Sequence, residues 1–156
     1  KNKKLKASDG LKHGKYRFYT SSQEKILFRN EYEFENYHIL LGRGGVCSIH
    51  LARKFSVSTD DVYVLKEKNL QNLKYIYYYL NNNLFSIEET FEGSTIKHSS
   101  KTKLLVVKIK LPKNKQLIED MEPTFQEIEQ LQEEVKNADT LYHQYLEELG
   151  KEAIKQ

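Results

Sequence analysis

Few side chains in this sequence stand in a pattern that could carry chemistry. The turn Gly42-Arg-Gly-Gly45 could offer backbone amides to a phosphate, although a tight turn between two strands explains the same glycines. The sequence lacks a Gly-x-Ser-x-Gly elbow, a Gly-x-x-x-x-Gly-Lys-Ser/Thr loop and the Asn/Asp-Pro-Pro-aromatic tetrad of an adenine methyltransferase. We therefore expect neither catalysis nor a metal or cofactor. Metal-ligand spacing is also missing among Cys47 and the histidines His13, His38, His50, His98 and His143.

The charge of the chain is unevenly distributed. The 156 residues carry a formal net charge of +3. Residues 1–25 contain eight Lys or Arg against two acids, residues 26–112 contain twelve against nine, and residues 113–156 contain five against eleven. A basic first part joined to an acidic last part suggests that the first part faces a polyanion. A Lys-rich solvated surface without such a partner is the alternative that charge alone leaves open.

Cysteine content and hydropathy bear on where the protein works. A single cysteine excludes a disulfide within the chain and fits a reducing compartment, so we expect a cytoplasmic protein. No apolar run approaches the ~20 residues that a membrane-spanning helix needs, and no secretory signal is visible. We expect no association with a membrane.

Hydrophobic periodicity predicts an α+β fold. Leucines and tyrosines from Leu70 to Leu84 repeat at helical spacing. The fold class that follows is a mostly β domain, a twisted sheet or partial barrel with one embedded helix, followed by a long C-terminal coiled-coil helix. The predicted strands cover Tyr16–Thr20, Phe34–Leu41, Val46–Ala52, Asp61–Leu65 and Leu105–Leu111, the last of them ended by Pro112.

The C-terminal segment has the heptad pattern of a coiled coil. Pro123 suits the first turn of a helix, and a helix from there to about Lys155 would be roughly 50 Å long. The rest of the chain is too small to cover such a helix, so its apolar seam needs a partner. We expect a first domain over residues 1–112 and a dimerisation or spacer helix over residues 113–156. The seam consists of Met121, Ile128, Leu131, Val135, Ala138, Tyr142, Tyr145 and Leu149, with Thr124 as its one polar member.

Taken in order, these elements resemble one half of a type I restriction–modification specificity (S) subunit. The segment Tyr16-Arg-Phe-Tyr-Thr-Ser-Ser22 is similar to the family's opening Tyr-Pro-Phe-Tyr-Thr-Ser, with Arg17 at the usual proline. The family's strand and glycine turn resemble Ile39-Leu-Leu-Gly-Arg-Gly-Gly45, and its embedded helix resembles Leu73-Lys-Tyr-Ile-Tyr-Tyr-Tyr-Leu80. The segment from Gly93-Ser-Thr-Ile-Lys-His98 to Ile109-Lys-Leu-Pro112, followed by the long helix, also has the family's order. The resemblance covers nearly the whole chain.

The resemblance implies a reader of DNA sequence that is not an enzyme. In complete S subunits, two target-recognition domains each read half of a bipartite site. Their two long helices pack together, set the spacing between half-sites and dock the DNA methyltransferase (M) subunits. With one domain and one helix, this chain is expected to bind double-stranded DNA and to form a homodimer through its helix. We further expect it to direct a methyltransferase or restriction complex to its target.

Several polar residues become candidates for DNA contact under this interpretation. Arg43 and Arg53 are the candidates for base reading, because a guanidinium can form two hydrogen bonds with guanine. Arg43 could instead be a turn residue only, and Thr95 and His98 could form hydrogen bonds within the domain. The tyrosine run 75–79 is expected mostly in the core and on the helix surface. The expected DNA-binding residues are Lys15, Arg17, Ser21, Ser22, Arg43, Arg53, Lys54, Lys97, His98, Lys101 and Lys103.

A structural or interaction protein is the alternative function. In that case the coiled coil would direct assembly and the globular domain would bind another protein. The two functions differ in how DNA binding responds to salt, because counterion release accompanies contacts with the phosphate backbone.

Overall fold

The computed structural model describes residues 4–22, 25–94 and 97–154. The chain divides into two compact units, Lys1–Leu111 and Pro112–Gln156. The first unit combines short strands with short helices, and the second is helical. The α+β fold expected from the sequence is therefore confirmed. No helix in the described ranges is long and apolar enough to cross a membrane.

The strands of the first unit form small sheets rather than one continuous sheet. In the described residues, two sheets have three strands each, in the orders β2-β1-β5 and β4-β3-β6, and the third is the pair β7-β8. Strands β1 and β5 run parallel, and the other pairs are antiparallel. The strands are β1 (Tyr16–Tyr19), β2 (Leu27–Arg29), β3 (His38–Gly42), β4 (Ile49–Ala52), β5 (Ser56–Val57), β6 (Val62–Leu65), β7 (Phe91–Glu92) and β8 (His98–Ser99).

Strand β3 is the centre of the first unit because both of its faces are buried. Ile39 and Leu41 pack in a cluster with Leu73 and Leu80 of α1 (Leu70–Asn82). Leu40 points to the other side and packs with Ala52, Phe55, Val57 and Val62. A strand covered on two faces has a continuous apolar run instead of alternation, which is the character of the Ile-Leu-Leu sequence.

Asparagines flank the embedded helix α1 at both of its ends. The Asn69 side chain caps the first turn by accepting a hydrogen bond of 2.8 Å from the Asn72 amide. Asn83 lies at the other end and donates a side-chain hydrogen bond of 2.7 Å to the Tyr79 carbonyl. The predicted helix over Leu70–Leu84 is confirmed with a slightly earlier end. The described residues of this unit also contain two short α-helices, α2 (Phe85–Glu88) and α3 (Lys101–Leu104), and a 3-10 helix over Ala7–Asp9.

The predicted strand over Leu105–Leu111 is wrong. Val107 and Ile109 do pack against the core around α1, but the segment pairs with no strand of the described residues. Its carbonyl at Lys110 accepts a hydrogen bond of 2.7 Å from the Tyr75 hydroxyl instead. Leu105 is 76% exposed. A period of two can therefore arise in a segment that is anchored to the core by its side chains and does not pair with a strand.

The second unit contains α4 (Gln116–Asp120) and α5 (Glu122–Ile154). Pro123 is the second residue of α5, a position where the missing amide hydrogen costs nothing. The 33 residues of α5 correspond to about 50 Å of helix. Met121 lies in the turn between the two helices, so the first residue of the predicted seam is not on α5.

Candidate nucleic-acid interface

Backbone hydrogen bonds hold the glycine turn (residues 42–45) on two sides. The Arg43 amide donates to the Asp61 carbonyl over 2.8 Å, and the Arg43 carbonyl accepts from the Ser99 amide over 2.7 Å. The Gly45 amide donates to the Lys97 carbonyl over 3.1 Å. The turn is therefore fixed between the start of β6 and the strand β8, which brings two distant parts of the sequence together.

Two of the glycines are required by the local geometry. A side chain at Gly42 would collide with the hydroxyl of Ser48, which is almost completely buried. Gly45 has a φ of 74°, a left-handed conformation that disfavours residues with a side chain. These constraints confirm that the turn itself explains part of the glycine pattern.

The side chain of Arg43 is stacked on an aromatic ring. Its guanidinium carbon lies 4.6 Å from the centre of the Tyr63 ring, which is within the range of a cation–π interaction. The Arg43 Nε is buried and has no hydrogen-bond partner among the described residues. Tyr63 is itself fixed, since its hydroxyl donates a hydrogen bond of 3.3 Å to the Ser99 carbonyl. Arg43 is thus half-buried and oriented by Tyr63, in contrast to a fully solvated turn residue.

Lys97 and His98 lie beside the glycine turn. Gly44 and His98 form an antiparallel bridge, and a Cβ on Gly44 would lie 3.1 Å from the His98 Nδ1. Both Lys97 and His98 are exposed. We define the Arg43 cluster as Arg43, Tyr63, Lys97 and His98. Thr95, for which a hydrogen bond within the domain is also an expectation, lies outside the described residues.

The other two lysines of the segment lie on α3, directly after β8. Lys101 is exposed at the first position of α3. Lys103 forms an ion pair of 2.5 Å with Glu92, which is the register partner of His98 in the β7-β8 pair. Because both groups of the pair are half-exposed or more, a phosphate can compete for Lys103 with the Glu92 carboxylate.

The end of β1 reaches the glycine turn through Ser21. The Ser21 carbonyl lies 3.6 Å from the position that a Cβ on Gly42 would occupy. Ser22 has a local role, since its hydroxyl accepts a hydrogen bond of 3.1 Å from the Lys25 amide. Lys15 is exposed before the other end of β1, where its ammonium lies 5.3 Å from the Tyr16 ring centre. Of these predicted site residues, Ser21 is the one that lies next to the glycine turn.

Arg53 and Lys54 lie at the opposite end of the β3-β4 pair from Arg43. Leu41 pairs with Ile49 near the glycine turn, whereas His38 pairs with Ala52 at the far end. Five strand residues separate the two ends by about 15 Å. Arg53 is exposed over Tyr37 at 5.4 Å, and Lys54 has a φ of 49°. The two arginines predicted to read bases therefore do not share one site.

Arg17 belongs to an aromatic cluster between the sheets. Its guanidinium carbon lies 5.5 Å from the Tyr19 ring centre, and Tyr19 lies 5.0 Å from the ring of His50. Burial raises the pKa of Tyr19 against the opposing effect of the Arg17 charge. Burial also lowers the pKa of His50, and the Arg17 charge lowers it further. His50 is consequently neutral at physiological pH and packs as part of the interior.

The thiol of Cys47 is a poor nucleophile. Burial and the nearby charge of Glu88 raise the pKa of the Cys47 thiol to about 11, so the thiolate nucleophile is scarce. The described residues contain no group of three or more His, Cys, Asp and Glu that could hold a metal ion.

Helix α5 exposes its heptad seam within the second unit. Val135 is 69% exposed, and the seam residues after it are exposed as well. Ile128 is half-buried. Nine acidic residues and two lysines lie on the helix, so the seam is an apolar stripe on a strongly acidic helix. The exposed seam residues after Ile128 are Leu131, Val135, Ala138, Tyr142, Tyr145 and Leu149.

Two residues that lie beside Arg43 and the glycine turn, Tyr63 and Val46, are not among the site residues predicted from the sequence. Tyr63 was recognised as part of a strand, but its contact with Arg43 depends on the β3-β6 register, in which Leu41 opposes Tyr63. Val46 was placed in a strand that begins only at Ile49, and it lies exposed after the glycine turn instead. The glycines before Val46 could have suggested that Val46 lies outside a strand, whereas nothing in the sequence specifies the contact of Tyr63 with Arg43.

Comparison with known proteins identifies the family and the fold of the chain. Residues 1–146 match the family described as the type I restriction modification DNA specificity domain. The fold is similar to that of the crystal structure of a type I restriction-modification system S subunit from M. genitalium, with a TM-score of 0.66 and 20% sequence identity. The match covers 88% of this chain and 37% of that subunit, so the chain spans well under half of its length. Comparison with curated proteins gave no significant match.

Proposed function

We propose, from the premise that this chain belongs to the type I restriction modification DNA specificity family, that its first domain reads a DNA target. The domain would comprise residues 1–112 and act without catalysis or a cofactor. The observation that carries the proposal is the Arg43 cluster, in which Arg43 lies over a tyrosine ring on a fixed turn, and the exposed Lys97 and His98 lie in the segment whose backbone pairs with that turn. Rigid presentation of this kind favours base reading, because a preorganised donor loses little entropy on binding.

The residues of this surface would make two kinds of contact with DNA. Arg43 would read a base edge, since a guanidinium can donate two hydrogen bonds to guanine. Lys97, Lys101 and Lys103 would bind phosphates, which supply affinity and position without carrying sequence information. Ser21 and His98 would add positioning contacts beside the turn. Arg17, Arg53, Lys54, Lys15 and Ser22 lie away from this turn or have local roles, and they would at most extend the phosphate contacts.

The helix of residues 113–156 would join two copies of the chain, so that one assembly reads both halves of a DNA site. Its exposed apolar seam is suited to pairing with the same seam of a second copy, which would place two target-recognition domains in one assembly. We propose an antiparallel homodimer that docks a DNA methyltransferase (M) subunit and directs a cytoplasmic modification or restriction complex to its site.

A salt titration of DNA binding tests the proposal. Binding of the full chain to a duplex is measured by fluorescence anisotropy at several salt concentrations. A DNA reader shows a logarithmic slope close to −0.9 for each phosphate contacted. A chain that functions only through protein contacts shows no duplex binding at low salt, and that result would support the structural or interaction protein instead.

A further inference from the structure

The geometry points to Val46 as a second base-reading residue, which contacts the 5-methyl group of a thymine. The inference rests on the proposed function, because it assigns one determinant of the sequence that the first domain reads. Val46 is 66% exposed directly after the glycine turn, and the exposed side chains that line the same cleft, Glu88 and Lys97, are charged. An exposed valine alone needs no explanation. Val46 calls for an explanation because it lies in a cleft beside the proposed DNA contacts.

The cleft that contains Val46 has the composition of a base-edge site. Its volume is about 270 Å³, and it is lined by Gly45, Val46, Cys47, Glu88, Phe91 and Lys97. Lys97 supplies a cation at one side, which suits a nearby phosphate. Glu88 is exposed at another side and would repel a phosphate inside the cleft. A base edge is therefore the part of a duplex that the cleft could accept.

The backbone on both sides of Val46 is fixed. Gly45 is tied to Lys97 through its amide, and Cys47 is only 4% exposed. The valine side chain is thus presented from a defined position, as precise readout requires. In the major groove the thymine methyl is the apolar group that distinguishes a thymine from the other bases, and apolar side chains recognise it by contact.

Replacement of thymine by deoxyuridine tests this contact, because the two bases differ only by the methyl group. The full chain is first used to select its preferred duplex, and each thymine of that site is then replaced in turn. One replacement should weaken binding by about fourfold, the value expected for one buried methyl group. For Val46→Ser the same replacement should have no effect, and binding to the thymine duplex should fall to the deoxyuridine level.

Val106→Ser is the matched control, because Val106 is also an exposed valine, at 72%, and lies after α3 instead of at the glycine turn. It should retain the sensitivity to deoxyuridine. The inference is overturned if the selected site lacks thymine, if no replacement depends on Val46, or if both variants lose sensitivity equally. Failure of the chain to select any site would instead overturn the proposed function.

Discussion

Arg43 and Tyr63 form a stacked pair at the ends of two neighbouring strands, with the guanidinium carbon 4.6 Å from the ring centre. The pair follows from the β3-β6 register, in which Gly42 opposes Val62 and the Arg43 amide bonds to the Asp61 carbonyl. Stacking leaves the outer nitrogens of the guanidinium able to donate hydrogen bonds in a fixed plane. The pairing of β3 with β6 therefore determines the orientation of Arg43.

Arg43→Lys should relax discrimination at one base pair at a cost of about 1–3 kcal/mol, because an ammonium cannot grip guanine with two parallel hydrogen bonds. Non-specific affinity should remain nearly unchanged, since the charge is kept. Selection from randomised duplexes at one salt concentration measures the change. An unchanged preferred site would show that Arg43 is a turn residue only.

Tyr63→Leu should produce the same relaxation at the same base pair if stacking positions Arg43. Tyr63→Phe is the matched control, since it keeps the ring and removes only the hydroxyl bond to Ser99. Full discrimination by both variants would mean that the ring has no part in base reading.

Replacing Lys97, Lys101 and Lys103 together by Glu should weaken DNA binding about equally for every sequence. The logarithmic salt slope should become shallower by about 0.9 for each phosphate that the variant no longer neutralises. The same exchange at Lys136, on α5, provides a control for a charge change away from the first domain. Unchanged binding by a folded triple variant would place the DNA surface elsewhere.

Replacing Ile128 and Val135 by Asp should convert a dimer into a monomer with an intact first domain, because each copy would place two new charges on the apolar seam. Gln130→Asp combined with Asn137→Asp adds the same charge, at the same seven-residue spacing, off the seam. Light scattering distinguishes the species. A monomeric unmodified chain at high micromolar concentration would contradict the homodimer.

The stability of the first domain should fall as the pH decreases below the unfolded pKa of His50, which is 6.5. The folded pKa is lower, so the unfolded state takes up the proton first and gains stability relative to the folded state. His50→Gln should therefore flatten this part of the dependence of the unfolding free energy on pH. Equal slopes in the unmodified protein and the variant would exclude a contribution of His50.

The sequence predicted most of the elements and the position of the glycine turn, for reasons that particular residues illustrate. Periodicity located α1, and the apolar run of β3 and the glycine pattern located the turn at Arg43. Periodicity wrongly predicted a strand at Leu105–Leu111. In this segment the Lys110 carbonyl accepts a hydrogen bond from the Tyr75 side chain and not from a neighbouring strand. Periodicity also could not predict that Arg43 and Arg53 lie at opposite ends of a strand pair, because their distance depends on the antiparallel pairing of β3 with β4.

Selection of preferred sites from randomised duplexes by the unmodified chain tests the central claim most directly. A twofold-symmetric pair of DNA readers predicts an inverted repeat, because each copy presents the same base-reading surface. The variant with Asp at Ile128 and Val135 should enrich one half of that repeat. The contrary result is a pool of duplexes that remains random after repeated selection at a salt concentration where the chain still binds DNA. That result would contradict sequence recognition by this protein.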